Sequence, residues 1–313
     1  MAVKQGTFEV VGGTWVEFDG NVPNGESMNR QFLYGQHFFE DEFGQKPKIF
    51  YLPDTFGYSP QLPQIAKNAE IEYFVTQKLS WSVFNKFPNH TFYWKGIDGS
   101  EMFSHFPPAD TYVSNGSVQE VLYNVEKNND KGRTNSSLLL FGDGDGGGGP
   151  QLSHVEKLIR VKDFDGIPKV KFSTCHEFFE EAKATSKKLM TWEGELYLEL
   201  HNGTFTTMAE HKYYNRYMET LLKDVEFFHY LSTLTGKTNP DPDEIHKTIK
   251  NMWYTFLIDQ FHDVLPGTCT FLTVEDTREN FKKLKEMCAE IYQKSIQHLL
   301  GDVKVNDIQR IRP

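Results

Sequence analysis

Short apolar runs recur through the first 185 or so residues, at 49–52, 72–76, 91–94 and 138–141. Each is closed off by proline, glycine or polar clusters, the length and framing of a buried strand. Between them lie stretches of helical spacing, such as 28–43, where Met28, Phe32, Phe39 and Phe43 form one stripe. Strands that alternate with helices admit few folds. The pattern predicts an α/β domain on a mostly parallel sheet over 1–185. In such sheets ligand sites gather beyond the carboxyl ends of the strands. The residues just after each run are therefore the first candidates for chemistry.

From about residue 190 the period changes. Tyr214, Tyr217, Met218, Leu221, Val225, Phe228 and Leu231 keep helical spacing. A second helix is expected to start at Asp241-Pro-Asp-Glu244, with Asp241 as cap and Pro242 in the first turn. Its stripe is Ile245, Ile249, Met252, Trp253, Phe256 and Phe261, and Pro266-Gly267 is expected to stop it. A third runs over about 274–300 with Phe281, Leu284, Cys288 and Ile291. Three long amphipathic helices predict a three-helix bundle over 190–300. Residues 301–313 read as the start of a further region.

Two strand exits carry acids. Asp54 follows the run at 49–52 and Pro53. A carboxylate there can be a nucleophile or a metal ligand, although Asp before a turn more often caps it. The run at 138–141 leads into Gly142-Asp-Gly-Asp-Gly-Gly-Gly-Gly-Pro150. Glycines let backbone come close to a ligand. A phosphate loop would need Lys-Ser or Lys-Thr after the glycines, and Pro150-Gln151 follows instead. Two carboxylates at strand ends suit glycoside hydrolysis, one as nucleophile and one as proton donor. Further on, His262 is a possible zinc ligand or a favourable charge near a helix end. The alternating stretch 195–201 reads as a strand joining the two regions, with Glu199 and His201 in lining or structural roles.

Several of these segments are specific when taken in order. Gly12-Gly-Thr-Trp-Val-Glu-Phe-Asp-Gly-Asn21, Leu52-Pro-Asp-Thr-Phe-Gly-Tyr-Ser59, Thr76-Gln-Lys-Leu-Ser-Trp81, Gly144-Asp-Gly-Gly-Gly-Gly-Pro150, Leu198-Glu-Leu-His-Asn-Gly-Thr204 and Gln260-Phe-His-Asp263 resemble the cytosolic branch of the glycoside hydrolase family 38 α-mannosidases. The resemblance implies an α/β catalytic domain, here incomplete and barrel-like, then a three-helix bundle and β-rich domains. It implies retaining hydrolysis of terminal α-linked mannose from free oligosaccharides, assisted by zinc. Asp54 matches the nucleophile, which is also a zinc ligand, and His262 matches a second ligand. Asp145 matches the acid/base, fixed by its glycine frame, in preference to Asp143. Phe56 matches a ring of the sugar site, Asp263 an acid that contacts substrate, and Asp110 another such acid. The family's other two zinc ligands lie in a His-x-Asp motif. None of the 11 histidines stands in one, and the motif's place in the family falls before Met1.

Composition narrows the partners. Thirty-three basic against 43 acidic residues give a net charge of −10, which excludes a general nucleic-acid or anionic-membrane binder. No run reaches the roughly 18 apolar residues of a membrane span. Three cysteines do not make a disulfide framework. The sequons at Asn89, Asn115, Asn135 and Asn202 follow no apolar leader and read as chance matches, so the expected compartment is the cytosol. The full-length family allows a homo-oligomer. Two other functions stand beside the enzyme: a catalytically impaired mannoside-binding remnant, and another metal hydrolase such as a deacetylase, which would need ligands clustered in sequence.

Overall fold

The computed structural model describes residues 2–235 and 242–301. In chain order it contains α1 (Gly25–Phe43), β1 (Ile49–Tyr51), α2 (Leu62–Asn68), β2 (Tyr73–Val75), β3 (Thr91–Lys95), β4 (Glu101–His105), α3 (Val118–Lys127), α4 (Leu152–Val161), α5 (Cys175–Thr185), β5 (Met190–Glu193), α6 (Ala209–Leu234), α7 (Pro242–Ile258) and α8 (Phe271–Leu300). Packing divides them into two units. One takes residues up to 21 together with 32–202; the other takes 22–31 together with the described residues from 203 on. α1 supplies turns to both.

The first unit is built on one five-stranded sheet of order β1-β2-β4-β3-β5. β1, β2 and β4 run parallel, with Tyr51 beside Val75 and Val75 beside His105. β3 is antiparallel to β4, and β5 is parallel to β3. The expected mostly parallel sheet is therefore present, with one reversal. Side chains alternate between its faces. Phe50, Phe74 and Trp94 fill one face, where Phe32 of α1 meets Phe50 at 4.8 Å and Phe74 meets Trp94 at 5.0 Å. Ile49, Tyr73, Val75 and Phe103 fill the other against Phe178 and Phe179 of α5. Tyr73 stacks on Phe179 at 4.6 Å. Aromatic pairs of this kind add about 0.5–1.5 kcal/mol each beyond the area they bury.

Two expected strands are corrected. Residues 138–141 form no strand; Phe141 makes one isolated bridge, to Ser114. The Leu138 N–H goes to the His105 imidazole, so the run spends its first donor on a side chain instead of a ladder. Residues 195–201 form none either. Leu196 bridges Tyr58 alone, and the pairing edge of β3 is taken by β5 just upstream. β4 and β5 were not among the expected runs.

The second unit contains the long helices α6, α7 and α8, as expected for a bundle. Met218, Leu222 and Val225 of α6, Met252, Trp253 and Phe256 of α7, and Phe281, Leu284 and Cys288 of α8 are buried. The buried face of α6 is rotated from the expected stripe: His211, Asn215 and Glu219 are buried, while Tyr214, Tyr217, Leu221, Phe228 and Leu231 are only half-buried. A polar network explains the rotation. Glu219 Oε1 accepts from Ser27 Oγ (3.0 Å) and from the Asn24 N–H (2.6 Å). Gln260 Nε2 donates to Asn215 Oδ1 (2.9 Å), and Gln31 Nε2 donates to the Leu257 carbonyl (3.0 Å). Buried polar groups must find such partners. α7 ends at Ile258, eight residues before Pro266, so Phe261 lies beyond it. The expected cap at Asp241 and nearly all of 301–313 lie outside the described residues.

Candidate active site

The three parallel strands put their carboxyl ends side by side, and each exit contributes one group. Asp54 follows β1, Lys78 follows β2, and Tyr112 follows β4. Lys78 Nζ pairs with Asp54 Oδ1; the lysine is 5% exposed and the carboxylate 22%, so the pair is screened from water yet reachable. The Asp54 N–H donates to Glu17 Oε1 at 2.6 Å. Glu17 belongs to the Gly12–Asn21 motif, and that motif is a cradle for the 52–59 loop. Asn21 Nδ2 donates to the Phe56 carbonyl (3.3 Å), Thr55 Oγ1 donates to the Phe18 carbonyl (3.1 Å), and a Cβ on Gly20 would meet the Gly57 carbonyl oxygen at 2.4 Å.

Asp145 arrives from the glycine loop. The Ser114–Phe141 bridge pins the loop's start, and Asp143 and Gly149 exchange two backbone hydrogen bonds of 2.9 and 2.7 Å across its neck. A Cβ on Gly144 would meet Val113 Cγ1 at 2.6 Å, so the loop lies close against the 112–113 segment. Asp145 has φ 54°, the left-handed region, and is exposed. The Tyr112 hydroxyl donates to Asp145 Oδ1 at 2.9 Å. Burial raises the pKa of this phenol first, then the bond to Asp145, then the nearby charge of Asp54. The structure thus gathers Asp54 and Asp145 around one hydroxyl. Asp143 is turned to another task, accepting from Gln151 Nε2.

Aromatic groups frame Asp54. Phe56 packs edge-on against His201 (4.9 Å), and Trp81 lies 6.0 Å from the same imidazole. Lys78 Nζ sits 3.8 Å from the Trp81 centroid and 5.2 Å from that of Phe56. Glu199 accepts from the backbone N–H groups of Phe84 (3.2 Å) and Asn85 (2.6 Å), which pins the loop after Trp81. Asp110 lies apart from this frame, with φ 57° and Oδ2 accepting from Tyr123 (3.0 Å). His105 is structural. It is fully buried, its Nε2 accepts from Leu138, its Nδ1 faces Thr91 Oγ1 at 3.0 Å, and burial pushes its pKa down to about 3.

His262 and Asp263 belong to the second unit. His262 is buried, with Nε2 3.9 Å from Asp263 Oδ2. Asp263 organises the turn after α7: its carbonyl accepts from the N–H groups of Gly267, Thr268 and Cys269, and its Oδ1 from Thr268 Oγ1. Lys78, Trp81, Tyr112 and Glu17 were not among the residues expected from sequence. Lys78, Trp81 and Glu17 sit inside quoted motifs, the one signal that pointed to them.

Residues 1–195 match the family described as "Glycosyl hydrolases family 38 N-terminal domain", and residues 199–299 match the "Alpha mannosidase middle domain". The chain belongs to glycoside hydrolase family 38. Alpha-mannosidase G of Dictyostelium discoideum is 47% identical over 299 residues, 96% of this chain and 27% of that protein. Human Alpha-mannosidase 2C1 is 48% identical over 281 residues, 90% of this chain and 27% of that protein. The Saccharomyces cerevisiae Alpha-mannosidase is 40% identical over 318 residues, 98% of this chain and 29% of that protein. This family 38 chain therefore spans a little over a quarter of the length of these curated relatives. The crystal structure of an alpha-mannosidase from Enterococcus faecalis V583 shares its fold, with a TM-score of 0.79 over 95% of this chain and 34% of that one at 19% identity.

Zinc ordinarily takes three or four protein donors. Among the described residues no group of three His, Cys, Asp or Glu is placed to hold a metal ion, and Asp54 Oδ1 is engaged by Lys78. The described residues of this family 38 chain do not by themselves fit the zinc centre that the resemblance implies. No described helix is long and apolar enough to cross a membrane.

Proposed function

We propose that this chain carries the catalytic carboxylates of a retaining α-mannosidase, with Asp54 as nucleophile and Asp145 as acid/base. The observation that carries this reading is the approach of both carboxylates to the Tyr112 hydroxyl, Asp54 from the exit of β1 and Asp145 from the glycine loop. A retaining mechanism, which spaces its two carboxylates about 5–5.5 Å apart, is taken from the family resemblance. The half-buried Asp54 attacks the anomeric carbon. The exposed Asp145 protonates the departing oxygen and then takes a proton from water. Lys78 and the Asp54 N–H···Glu17 bond hold the nucleophile in place. Phe56 and Trp81 offer apolar faces to the sugar ring.

The substrate class is terminal α-linked mannose, in keeping with relatives named alpha-mannosidases; free oligosaccharides are the proposed substrates and the cytoplasm the proposed compartment. Asp110 and Asp263 are assigned to substrate hydroxyls. Zinc assistance is assigned only to a protein in which further donors join Asp54 and His262, and homo-oligomerisation to the full-length protein. A second reading, a mannoside-binding chain without turnover, is favoured by the Lys78–Asp54 pair, which occupies the candidate nucleophile.

One experiment separates the two. The purified chain is assayed with an aryl α-mannoside in the presence of zinc, beside Asp54→Asn. Turnover that disappears in Asp54→Asn supports the enzyme. Saturable mannoside binding without turnover supports the second reading. Turnover that survives Asp54→Asn refutes the nucleophile assignment.

A further inference from the structure

Three asparagines are followed directly by glycine: Asn24, Asn115 and Asn202. In such a pair the glycine nitrogen can attack the side-chain carbonyl carbon of the asparagine, because no Cβ on the glycine restricts the turn. Closure needs three things: a glycine N–H that is not already spent, a side-chain carbonyl that is not committed, and backbone with room to rotate.

The fold withholds these conditions at two of the pairs. Asn24 caps α1: its Oδ1 accepts the Ser27 N–H at 2.9 Å, and its own N–H is held by Glu219 at 2.6 Å. Cyclisation there must first give up a cap worth about 1 kcal/mol. At the second pair, Asn115 Oδ1 accepts from Lys157 Nζ (3.2 Å), and the attacking N–H of Gly116 is spent on Ser114 Oγ (3.0 Å). Gly116 is also buried, with Leu158 Cγ 2.8 Å from where a Cβ would lie. Asn202 differs in each respect. Both it and Gly203 are exposed. Among the described residues the Gly203 N–H donates to no acceptor, and Asn202 Oδ1 accepts from no donor. A Cβ on Gly203 would meet nothing within 4 Å, so the turn has room to move. The bond that the Asn202 side chain does make is on the nitrogen that would leave: Nδ2 donates to the Tyr197 hydroxyl at 2.5 Å.

We propose that Asn202-Gly203 is a self-modification site, at which the folded chain turns Asn202 into a mixture of aspartyl and isoaspartyl residues. The Gly203 nitrogen loses its proton to hydroxide and bonds to Asn202 Cγ. The Cγ–Nδ2 bond breaks, and the nitrogen leaves as ammonia with a proton taken from water. Water then opens the cyclic imide at either carbonyl. The sum is amide plus water giving carboxylic acid plus ammonia, with no change of oxidation state. Opening at the main-chain carbonyl threads one extra carbon into the backbone directly after His201. That imidazole is the one packed against Phe56 (4.9 Å) and Trp81 (6.0 Å). The modification therefore adds a negative charge and a longer backbone beside the aromatic frame of Asp54.

The test reads mass and needs no turnover. The intact chain is incubated in water labelled with heavy oxygen, in mildly acidic and in mildly alkaline buffer, and the three Asn-Gly peptides are followed by mass spectrometry. The label marks only conversion that occurs during the incubation. The cap at Asn24 and the bonds at the 115–116 pair each resist closure by roughly one hydrogen bond or cap, so Asn202 is expected to convert on the order of tenfold faster than either. Alkaline buffer is expected to speed it, because hydroxide removes the proton from the attacking nitrogen. Gly203→Ala, whose new Cβ has open space, is expected to slow conversion at 202 and to leave the other two rates unchanged. In strong urea the three rates are expected to converge, which assigns the difference to the fold. Equal rates at the three pairs without urea overturn the proposal, as does labelled product at Asn24 or Asn115 ahead of Asn202. An Asn202 that takes up label in urea and none without it overturns the proposal as well, because the folded chain then protects all three.

Discussion

Gly25 and Gly35 lie in the same helix, and the same substitution should have opposite effects at the two positions. Replacing an interior helical glycine with alanine is ordinarily worth about 1 kcal/mol of helix stability. At Gly35 the new Cβ would lie 2.3 Å from the Thr14 carbonyl carbon, 2.6 Å from Thr14 Cα and 2.7 Å from the Trp15 nitrogen. Carbon atoms prefer separations of about 3.5–4.0 Å, so something must move by more than about 1 Å. The colliding atoms are backbone, and no rotamer change relieves them. Overpacking of this kind costs about 1–3 kcal/mol, and the upper end applies where backbone meets backbone. Subtracting the helical gain leaves a net loss of about 2 kcal/mol for Gly35→Ala. At Gly25 a Cβ meets nothing within 4 Å, so Gly25→Ala should be neutral or slightly stabilising. Urea unfolding followed by tryptophan fluorescence checks the pair. With a slope near 2 kcal/mol per molar, Gly35→Ala should lower its midpoint by roughly 1 M. A Gly35→Ala midpoint at or above that of the unmodified chain would refute the argument. The effect should also reach the site, because the displaced segment leads to Glu17, which holds the Asp54 amide.

Two further outcomes follow from polar groups. Asp259 is buried beside Asn280, and desolvation pushes its pKa up to about 7. A carboxyl whose folded pKa is raised favours folding while it is protonated, and that contribution is lost as pH rises from about 4 to about 7. Asp259→Asn should therefore gain thermal stability over the unmodified chain at pH 8, by up to about 4 kcal/mol, and no such gain at pH 4; equal gains at both pH values would count against the ionisation account. Tyr112→Phe removes the hydroxyl that bonds Asp145, a hydrogen bond worth about 0.5–1.5 kcal/mol, so in an active protein kcat/KM should fall by up to about tenfold.

Legibility in the sequence followed the range of the interactions involved. β1, β2 and β3 showed because Phe50, Phe74 and Phe92 sit in short apolar runs framed by breakers. β4 did not, because Ser104 and His105 interrupt its apolar pattern while being fully buried by partners elsewhere in the chain. The run at 138–141 looked like a strand and is none, because its first donor is claimed by a histidine 33 residues away. Asp54 and Asp145 could be picked out by their places after apolar runs and by the resemblance. Tyr112 could not: its meaning lies in a bond across 33 residues to a loop shaped by glycines. The rotated face of α6 has the same cause. Apolar spacing reads oil and misses a buried carboxylate whose donors come from nearly two hundred residues earlier.

That last separation has a consequence in time. Ser27 and Glu219 are 192 residues apart in the chain, yet they belong to one packed unit. A ribosome adding about 5–20 residues per second needs roughly 10–40 s to go from one to the other. During that interval the first turns of α1 are made while the helix that completes their hydrogen bonds is not. The early piece must wait, made but without its partner, until the bundle's helices emerge. A recombinant fragment that starts at residue 203 would never receive that piece, and its Glu219 would be buried without Ser27 and Asn24, or not buried at all.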